Sequence, residues 1–547
     1  MKDRSEFFRG RLSGLCGLAL IVTAACTPAR DFGTSVAPTF SQVQATEVFA
    51  AGYGGISEKY IEAVSVEDIA IEGLRGLGAI DPNLTITRVT VETDAATPTS
   101  TAKDHAKNTK AVVILHAEGE EIIRLDAPAP DDVNGWAALT TKLSLSARKA
   151  SSEMHAAPIE AVYEAVFDGV LSNLDIFSRY AGAELARRNR SKRDGFGGIG
   201  IRYRATDGLP VLSDVLPKTP AARGGLRKGD KLTHIDGVSL RGLDRKIISR
   251  KLRGPTRTLV ELTFFRPGEG VSKTVTLKRA HIFPITITEK IHDGVVTLTL
   301  SSFNRDTARS LSEKLGKARM KLGDAMKGVI LDLRGNPGGL LKQSVKVADL
   351  LLTQGKIIST RGRHTDSIHH YEAGGRDLAF GLPVVVLVDG RSASAAEIVA
   401  AALQDRDRAV IIGTASFGKG SVQTVLRLPN DGEITLTWSR LVAPSGYMFH
   451  GLGVRPSICT SGIKGNAQSI IDQTLNNRIK IEDMLAAWRK PDMQNQDQRT
   501  QLRNSCPSQR RRDDLELKIA RRLIAQPTQF ARALDLTAAT HQARNPK

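Results

Sequence analysis

The chain is 547 residues long, and at about 150 residues per domain it should contain three or four domains. Hydrophobic residues make up 41% and charged residues 25%, which excludes a wholly disordered or collagen-like chain. Lysine and arginine (77) outnumber aspartate and glutamate (58), and the net charge is +19. We expect no nucleic-acid partner, because only 16 Phe, 7 Tyr and 3 Trp are available to stack on bases. The charge favours solubility or attraction to an anionic surface, and RNA or DNA binding is kept as an alternative.

The amino terminus has the pattern of a secretory signal peptide over residues 1–25. A basic segment ending at Arg11 precedes the apolar run Leu15 to Ala25, which is shorter than the about 20 residues of a membrane-spanning helix. We therefore expect export to the bacterial periplasm or cell envelope. Cys26 follows a sequence similar to a lipobox, which predicts lipidation of Cys26 and a membrane anchor. The alternative is an ordinary signal peptide with an incidental cysteine.

The four cysteines are Cys16, Cys26, Cys459 and Cys506. Cleavage of the signal would remove Cys16 and lipidation would consume Cys26, so two thiols remain. In an oxidising compartment, Cys459 and Cys506 are candidates for a disulfide, with two free buried thiols as the alternative. No Cys-x-x-Cys or His-Glu-x-x-His spacing occurs, so we expect no metal site and no cofactor.

Residues 26–194 are predicted to form a mixed α/β region that is largely helical. Helical spacing of apolar residues covers 41–80 and resumes after a group of strands. The predicted strands are Ile86 to Glu92, Ala111 to Ala117 and Glu121 to Leu125, separated by the polar loop Asp94 to Lys110, and the later helices are about 135–152 and 158–173. The pattern does not indicate a function for this region.

A glycine loop, a short helix after Thr219 and the turn Gly229-Asp230 follow one another within residues 195–282. In this order the three features resemble a PDZ domain. Backbone N–H groups of such a loop can bind a terminal carboxylate, so Gly198, Ile199 and Gly200 are the predicted carboxylate-binding residues. A dinucleotide-binding loop is a weak alternative, because a strand rather than a long helix follows.

Residues 283–462 are predicted to form an α/β layer with both faces covered, because apolar strands alternate with helices. The predicted strands include Val295 to Leu300, Gly328 to Leu333 and Pro383 to Val388. Residues 463–547 have the pattern of a helical, basic segment.

Ser394 stands at the start of a predicted helix, directly after a buried strand and a glycine turn. A hydroxyl at a helix amino terminus lies near free backbone N–H groups, which suits a nucleophile whose attack creates an oxyanion. Ser394 and Glu397 also have the spacing of a capping box, so a structural role is the alternative.

Lys419 lies between two glycines in Phe417-Gly418-Lys419-Gly420-Ser421-Val422-Gln423. A lysine whose pKa is lowered by burial can act as a general base, and the apolar Phe417 and Val422 could supply that burial. In a continuing strand, Lys419 and Gln423 would share a face, so the amide could orient the amine. A solvated turn lysine is the alternative. A P-loop is not favoured, because Gly420 stands where a hydroxyl must bind Mg²⁺.

Three stretches together resemble the carboxy-terminal processing, or tail-specific, proteases, a Ser–Lys family with an inserted PDZ domain. The stretches are 332–339, 392–398 and 417–423, and with the PDZ pattern the resemblance covers about residues 160–460. It implies a multi-domain α/β fold with a crotonase-like mixed α/β peptidase core, a PDZ domain and helical terminal segments. The implied roles are nucleophile for Ser394, base for Lys419, orienting group for Gln423, and oxyanion donors in the backbone N–H groups of Ala395 and Gly338.

The sequence departs from the family at Ser457, where an aspartate is usual, and the stretch 80–130 is longer than usual. The combined pattern predicts an exported serine endopeptidase that recognises apolar C-termini through its PDZ domain and cleaves through an acyl-enzyme. A non-catalytic PDZ scaffold in the cell envelope is the alternative. Monomer and oligomer are both compatible with the sequence.

Overall fold

A computed structural model of the chain describes residues 40–92, 109–206, 208–490, 495–510 and 514–542. Residues 41–547 are grouped as one compact unit, and it contains every element described below. The predicted signal peptide, Cys16 and Cys26 lie outside the described residues. Most of the predicted loop Asp94 to Lys110 does as well.

The region before the PDZ domain consists of helices and one small antiparallel sheet. Its elements are α1 (Gln42–Lys59), α2 (Val66–Arg75), β1 (Leu84–Glu92), β2 (Thr109–Ala117), β3 (Glu120–Asp126), α3 (Val133–Ala150), α4 (Ser152–Ala156), α5 (Ile159–Ser172), β4 (Arg179–Ala181) and α6 (Ala183–Asp194). The sheet order is β1-β2-β3, and all its pairs are antiparallel. Side chains of Ser41, Ser65 and Asp132 accept backbone N–H groups at the starts of α1, α2 and α3, which explains where these helices begin. The helices pack through aromatic residues, among them Phe49, Tyr53 and Phe167.

The PDZ region is a twisted sheet with two helices. Its elements are β5 (Phe196–Gly198), β6 (Ile201–Thr206), β7 (Leu209–Val215), α7 (Pro220–Arg223), β8 (Lys231–Ile235), β9 (Val238–Ser239), α8 (Arg245–Leu252), β10 (Leu259–Arg266), β11 (Val271–Lys278) and β12 (Ala280–Ile282). The order β11-β10-β8-β7-β6 leaves β6 at an edge. A buried ion pair between Arg266 and Asp230 joins β10 to the turn that the sequence pattern indicated. The β5–β12 pair links the two ends of the region.

The peptidase region contains two sheets. Its elements are β13 (Ile287–His292), β14 (Val295–Leu300), α9 (Thr307–Leu322), β15 (Gly328–Asp332), α10 (Leu341–Asp349), β16 (Gly355–Arg361), β17 (His369–Ala373), β18 (Val384–Val388), α11 (Ala395–Asp405), β19 (Val410–Gly413), β20 (Ser421–Arg427), β21 (Glu433–Val442) and β22 (Ile458–Cys459). The first sheet has the order β13-β14-β15-β18-β19-β22 and is parallel from β14 onward. The second, antiparallel sheet has the order β17-β16-β21-β20, with β4 paired to β21.

Helices cover both faces of the parallel sheet, which explains why its strands are apolar throughout. One face packs against α9, α10 and α11. The other packs against the carboxy-terminal helices α12 (Ala467–Asn476), α13 (Arg478–Arg489), α15 (Leu515–Ile524) and α16 (Pro527–Gln542), chiefly through residues such as Ile470, Ile519 and Leu523. Between α13 and α15, helix α14 (Gln496–Asn504) packs through Leu502 against the cluster of the first face. The carboxy-terminal segment is therefore part of the peptidase core. In the described part of the chain, the helices are too short or too polar to cross a membrane.

Candidate active site

Ser394 lies where the carboxyl end of β18 turns into α11. Its φ angle of 54° is unusual for a residue other than glycine. The turn before it is held by Asp389, whose Oδ1 accepts backbone N–H groups of Gly335, Arg391 and Ser392. Ser394 itself is partly exposed, so its hydroxyl lies at the surface of a rigid turn.

Glu397 is fully buried one turn into α11, and it connects this turn to the lysine loop. Its carboxylate accepts the backbone N–H of Ser394 at 2.7 Å and that of Lys419 at 2.9 Å, both on Oε2. On Oε1 it accepts the N–H of Gly418 at 2.7 Å and the hydroxyl of Ser416. The capping-box contact from Glu397 to Ser394 is thus present, but the same carboxylate also fixes the loop of the predicted base.

The pKa of Glu397 is raised by burial, and the four donors, led by the Ser416 hydroxyl, oppose that shift. Four donors on one carboxylate are a strong local restraint, because hydrogen bonds to a charged group are about twice as strong as neutral ones. Glu397 therefore fixes the relative position of the two chain segments that carry Ser394 and Lys419.

Lys419 is partly buried beside the segment that precedes the PDZ domain. Its Nζ lies 4.8 Å from the centroid of the Phe177 ring. Burial lowers the pKa of the Lys419 ammonium, the charge of Arg179 lowers it further, and Asp175 and Glu397 oppose this. The apolar contact therefore comes from Phe177 rather than from Phe417, whose side chain is 49% exposed. In this structure Lys419 Nζ makes no hydrogen bond to Ser394 Oγ.

Gln423 makes no hydrogen bond to the lysine amine in this structure, so its orienting role stays a prediction. Its Nε2 donates to Ser421 Oγ at 2.9 Å and to Thr437 Oγ1 at 3.2 Å. The reason is local geometry: β20 begins only at Ser421, and its pairing with β21 shifts register between Val422 and Gln423. A strand-like alternation from Lys419 to Gln423 therefore does not hold.

The Gln423 amide instead joins a network around Asp175. Thr437 Oγ1 donates to Asp175 Oδ1 at 3.1 Å, and Ser178 Oγ donates to Asp175 Oδ2 at 2.7 Å. The backbone N–H of Thr437 in turn donates to Ser178 Oγ at 3.1 Å. Gln423 thus belongs to the junction between β20, β21 and the segment that carries Phe177.

The predicted oxyanion donors lie side by side. A Cβ added to Gly338 would lie 2.9 Å from the Cβ of Ser394 and 3.1 Å from the backbone nitrogen of Ala395, and φ at Gly338 is +100°. Ala395 is the first residue of α11, so its N–H has no acceptor within the helix. The N–H of Gly338, however, donates to Asn336 Oδ1 at 2.9 Å. In this conformation one of the two predicted donors is therefore engaged within the loop.

The carboxy-terminal segment contacts both loops of the site. Arg503 donates through Nη1 to the carbonyl of Leu452 at 2.6 Å, and its guanidinium lies 3.4 Å from the carbonyl of Ser416. The backbone N–H of Gly390 donates to the carbonyl of Gln509 at 2.8 Å. Cys459 of β22 and Cys506 form the disulfide that the sequence predicted. It joins β22 to the carboxy-terminal segment that makes these contacts.

Several site residues were not singled out from the sequence. Glu397 was noted only as a capping partner, and Ser416 only as part of a motif. Asp175 and Phe177 lie in residues 174–180, a stretch that also resembles the family's segment before the PDZ domain but was assigned no role. Arg503 lies far from Lys419 in the chain, so no local spacing indicated it. Glu397 stands in the otherwise apolar start of the helix sequence directly after Ser394. This was the sequence signal that could have indicated its bonds to the lysine loop.

Two cavities flank the site. One of 620 Å³ is lined by Leu340, Gln423, Tyr371 and neighbouring residues, and one of 420 Å³ is lined by Phe177, Gly418 and neighbouring residues. In the described ranges there is no cluster of three or more His, Cys, Asp or Glu residues that could hold a metal ion. The site therefore consists of a serine, a lysine and backbone amides beside two open spaces.

The predicted carboxylate loop of the PDZ region borders a separate groove of 180 Å³. Gly198, Ile199 and Gly200 line it together with residues of β6 and α8. A Cβ at Gly200 would lie 2.4 Å from the Thr219 side chain at a φ of +86°, so only glycine fits there.

Comparison with known proteins identifies both regions. Residues 294–460 match the family described as "Peptidase family S41", and residues 211–266 match "PDZ domain". A carboxy-terminal-processing protease of Bartonella bacilliformis is 38% identical over 327 residues, which cover 59% of this chain and 73% of that protein. A probable CtpA-like serine protease of Staphylococcus aureus is 30% identical over 324 residues, which cover 58% of this chain and 64% of that protein.

A solved structure named photosystem II D1 C-terminal processing protease is 25% identical, with a TM-score of 0.32. The match covers 57% of this chain and 87% of that one. On the Bartonella relative and the two matched domains, the chain belongs to peptidase family S41 as a carboxy-terminal-processing serine protease with a PDZ domain.

Proposed function

We propose that Ser394 is the nucleophile and Lys419 the general base of an endopeptidase that acts on proteins recognised by their C-termini. The observation that carries this assignment is the shared Glu397 Oε2, which accepts the backbone N–H groups of both residues. It fixes the two chain segments next to each other, at the tip of α11 and at the entrance to β20.

In the first step, the neutral amine of Lys419 takes the proton from the Ser394 hydroxyl while Oγ attacks the peptide carbonyl. As the C–N bond breaks, the lysine ammonium returns a proton to the leaving amine. Water then attacks the acyl carbon of the acyl-enzyme while Lys419 takes one of its protons. The bond between that carbon and Ser394 Oγ breaks, the lysine ammonium returns the proton to Oγ, and the carboxylic acid product leaves.

The amine must move from the Phe177 ring to Ser394 Oγ for this reaction. The lysine side chain is a flexible four-carbon stem with four rotatable bonds, so it can change rotamer in this way. Loss of water around the amine on substrate binding would keep it neutral, in line with the lowered pKa of Lys419.

The oxyanion would be stabilised by the N–H of Ala395 and by that of Gly338. For the second donor to act, the substrate oxygen must replace Asn336 Oδ1, which accepts that N–H in this structure. The replacement exchanges a neutral acceptor for a charged one, and charge-assisted hydrogen bonds are the stronger.

The PDZ groove would recruit substrates. A free C-terminal carboxylate would bind the loop Gly198 to Gly200, and the peptide would add as a strand to the free edge of β6. An apolar last residue fits the apolar groove wall, which includes Ile199 and Leu252.

Export and lipidation at Cys26 belong to the same proposal. They are supported by the apolar run before Cys26 and by the Cys459–Cys506 disulfide, which is typical of oxidising compartments. We expect the wild-type protein in the membrane fraction of a bacterial host, carrying a labelled fatty acid, and a Cys26→Ser variant without label. A labelled Cys26→Ser variant, or an unlabelled wild-type protein, would contradict lipidation at Cys26.

The test of the enzymatic assignment uses a disordered protein with an apolar C-terminus as substrate. Ser394→Ala and Lys419→Met should each reduce cleavage to background, because each removes a partner of the proton transfer. Lys317→Ala removes an exposed lysine of α9 and should leave cleavage unchanged. Full activity in either site variant would overturn the dyad, and C-terminal peptide binding without any cleavage by the wild type would favour a scaffold.

A further inference from the structure

The PDZ groove carries more positive charge than recognition of a terminal carboxylate requires. Of its lining residues, three are arginines, Arg202, Arg245 and Arg253, and none is acidic. Within the ranges that the structure describes, none of these three guanidinium groups forms an ion pair. Arg253 lies over the Phe196 ring, 4.0 Å from its centroid, at the end of the groove near the glycine loop.

The opposite end of the groove is closed by Tyr203. Its hydroxyl lies 2.7 Å from Ser249 Oγ and donates to the carbonyl of Arg245 at 3.0 Å. These bonds cross from β6 to α8, so the 180 Å³ of the groove accommodates only a few residues of a peptide. The Arg245 guanidinium lies beside this barrier, 5.8 Å from the centroid of the Tyr203 ring.

Strand geometry indicates which peptide residue meets Arg245. In an added strand, alternate side chains point to the same face, and each residue advances about 3.4 Å. The last residue and the one two positions before it therefore both point toward α8, about 7 Å apart. With the last residue at Leu252, the other lies toward the Arg245 end of α8, within reach of the long arginine side chain.

We propose that this PDZ groove selects C-termini with an acidic residue two positions before an apolar last residue, and that Arg245 determines this preference. The proposal rests on the PDZ recruitment step of the proposed function. It adds the chemical class of the recruited C-terminus. Arg245, without an ion pair among the described residues and at the end of the groove that Tyr203 closes, is complementary to a carboxylate.

The test measures binding of fluorescein-labelled hexapeptides to the full-length Ser394→Ala protein by fluorescence polarisation, so that the peptides stay intact. The sequences are Ser-Ala-Ala-Xaa-Ala-Val, with Glu, Gln or Lys at Xaa, and an amidated version of the Glu peptide. We expect the Glu peptide to bind about three- to fivefold more tightly than the Gln peptide at low salt. The difference should shrink as salt is added, the Lys peptide should be weakest, and amidation should abolish binding.

The decisive comparison is between two variants of one helix. Arg245→Gln should remove the preference for Glu over Gln while the free carboxylate is still required. The hydrogen bond from Tyr203 goes to the backbone carbonyl of residue 245, so this variant retains it. Arg250→Gln makes the same charge change on α8 outside the groove and should retain the preference.

Equal affinity for the Glu and Gln peptides, or a preference that survives Arg245→Gln, would overturn the proposal while leaving C-terminal recruitment intact. Failure of every free-carboxylate peptide to bind would overturn both the selection and the recruitment step. Cleavage of the disordered substrate by the wild type is measured separately, so that outcome would still leave the Ser394–Lys419 assignment standing.

Discussion

Ser394 and Lys419, 25 positions apart in the chain, donate their backbone N–H groups to the same oxygen atom, Oε2 of the buried Glu397. The two side chains are not hydrogen-bonded to each other, and Lys419 Nζ lies 4.8 Å from the centroid of the Phe177 ring. The backbone framework of the dyad is therefore assembled in this structure, and the reaction additionally needs a change of the lysine rotamer.

The first prediction concerns the Glu397 acceptor. Glu397→Gln keeps the size of the side chain but replaces one acceptor oxygen by an amide NH₂ group. This group is a donor and cannot accept the hydrogen bonds that the oxygen accepted. We expect a loss of about 1–3 kcal/mol in the free energy of unfolding and a fall in kcat, with KM nearly unchanged. Denaturant unfolding and steady-state kinetics measure both. Glu184→Gln, on the exposed face of α6, is the control, and a wild-type kcat in Glu397→Gln would show that this restraint is dispensable.

The second prediction concerns pH. Lys419 must be neutral to accept a proton, so kcat/KM should rise with pH through the pKa of its ammonium. Burial and the charge of Arg179 lower that pKa, so the rise should lie below the ordinary lysine value of 10.5. Arg179→Gln removes a positive charge, so the pKa of Lys419 should increase. The rising limb of the plot of kcat/KM against pH should therefore move to higher pH.

The control for the pH measurement is Arg376→Gln, which removes an exposed arginine of the loop between β17 and β18. Its pH–rate limb should coincide with that of the wild type. A limb that stays in place in Arg179→Gln, or that moves to lower pH, would be incompatible with Lys419 as the titrating base.

The third prediction separates two glycines of the loop after β15. Gly338→Ala places a Cβ 2.8 Å from the carbonyl oxygen of Ala393 at a φ of +100°, so it must displace the loop from Ser394. We expect kcat to fall on the order of 100-fold, the effect of losing one oxyanion donor. Gly335→Asn is the matched control, because φ there is +72° with no atom within 4 Å of an added Cβ. Similar kcat values for the two variants would argue against the Gly338 donor.

The fourth prediction concerns the disulfide that joins β22 to the carboxy-terminal segment. Its cysteines are 47 residues apart, a loop whose closure stabilises the folded state by about 4 kcal/mol in the chain-entropy model. Reduction should lower the thermal midpoint and also kcat, because the segment around Cys506 holds Gly390 through Gln509 and the Ser416 carbonyl through Arg503.

A Cys459→Ala and Cys506→Ala double variant controls for other effects of the reductant. It should resemble the reduced wild type and should not respond to reductant. If reduction lowers stability but leaves kcat at the oxidised value, the carboxy-terminal segment supports the fold without positioning the active-site loops.

Local patterns were sufficient to predict the elements whose sequences are periodic or carry turn residues. The strand Val295–Leu300 has the predicted limits, and α7 begins at Pro220, directly after Thr219 as predicted. The parallel sheet was recognisable because burial on both faces makes its strands apolar throughout.

The second sheet was not predicted, because its strands are partly exposed and pair over long separations. β20 pairs with β21, and β21 also pairs with β16 and with β4. In the β4–β21 pair, Tyr180 lies opposite Ile434, more than 250 residues later in the chain. This sheet brings Phe177 and Asp175 to Lys419. Local spacing therefore indicated Ser394 and Lys419 but not the residues around the amine, and it did not show the hydrogen bonds of Gln423 to Ser421 and Thr437.

The most direct test of the central claim identifies the residue that becomes acylated. A p-nitrophenyl ester of a short apolar peptide is mixed with the protein, the reaction is quenched in acid, and the acylated fragment is identified by mass spectrometry. We predict a burst of p-nitrophenolate with the acyl group on Ser394, greatly slowed in Lys419→Met and absent in Ser394→Ala. Acylation of another residue, or an undiminished burst in either variant, would contradict the Ser394–Lys419 mechanism.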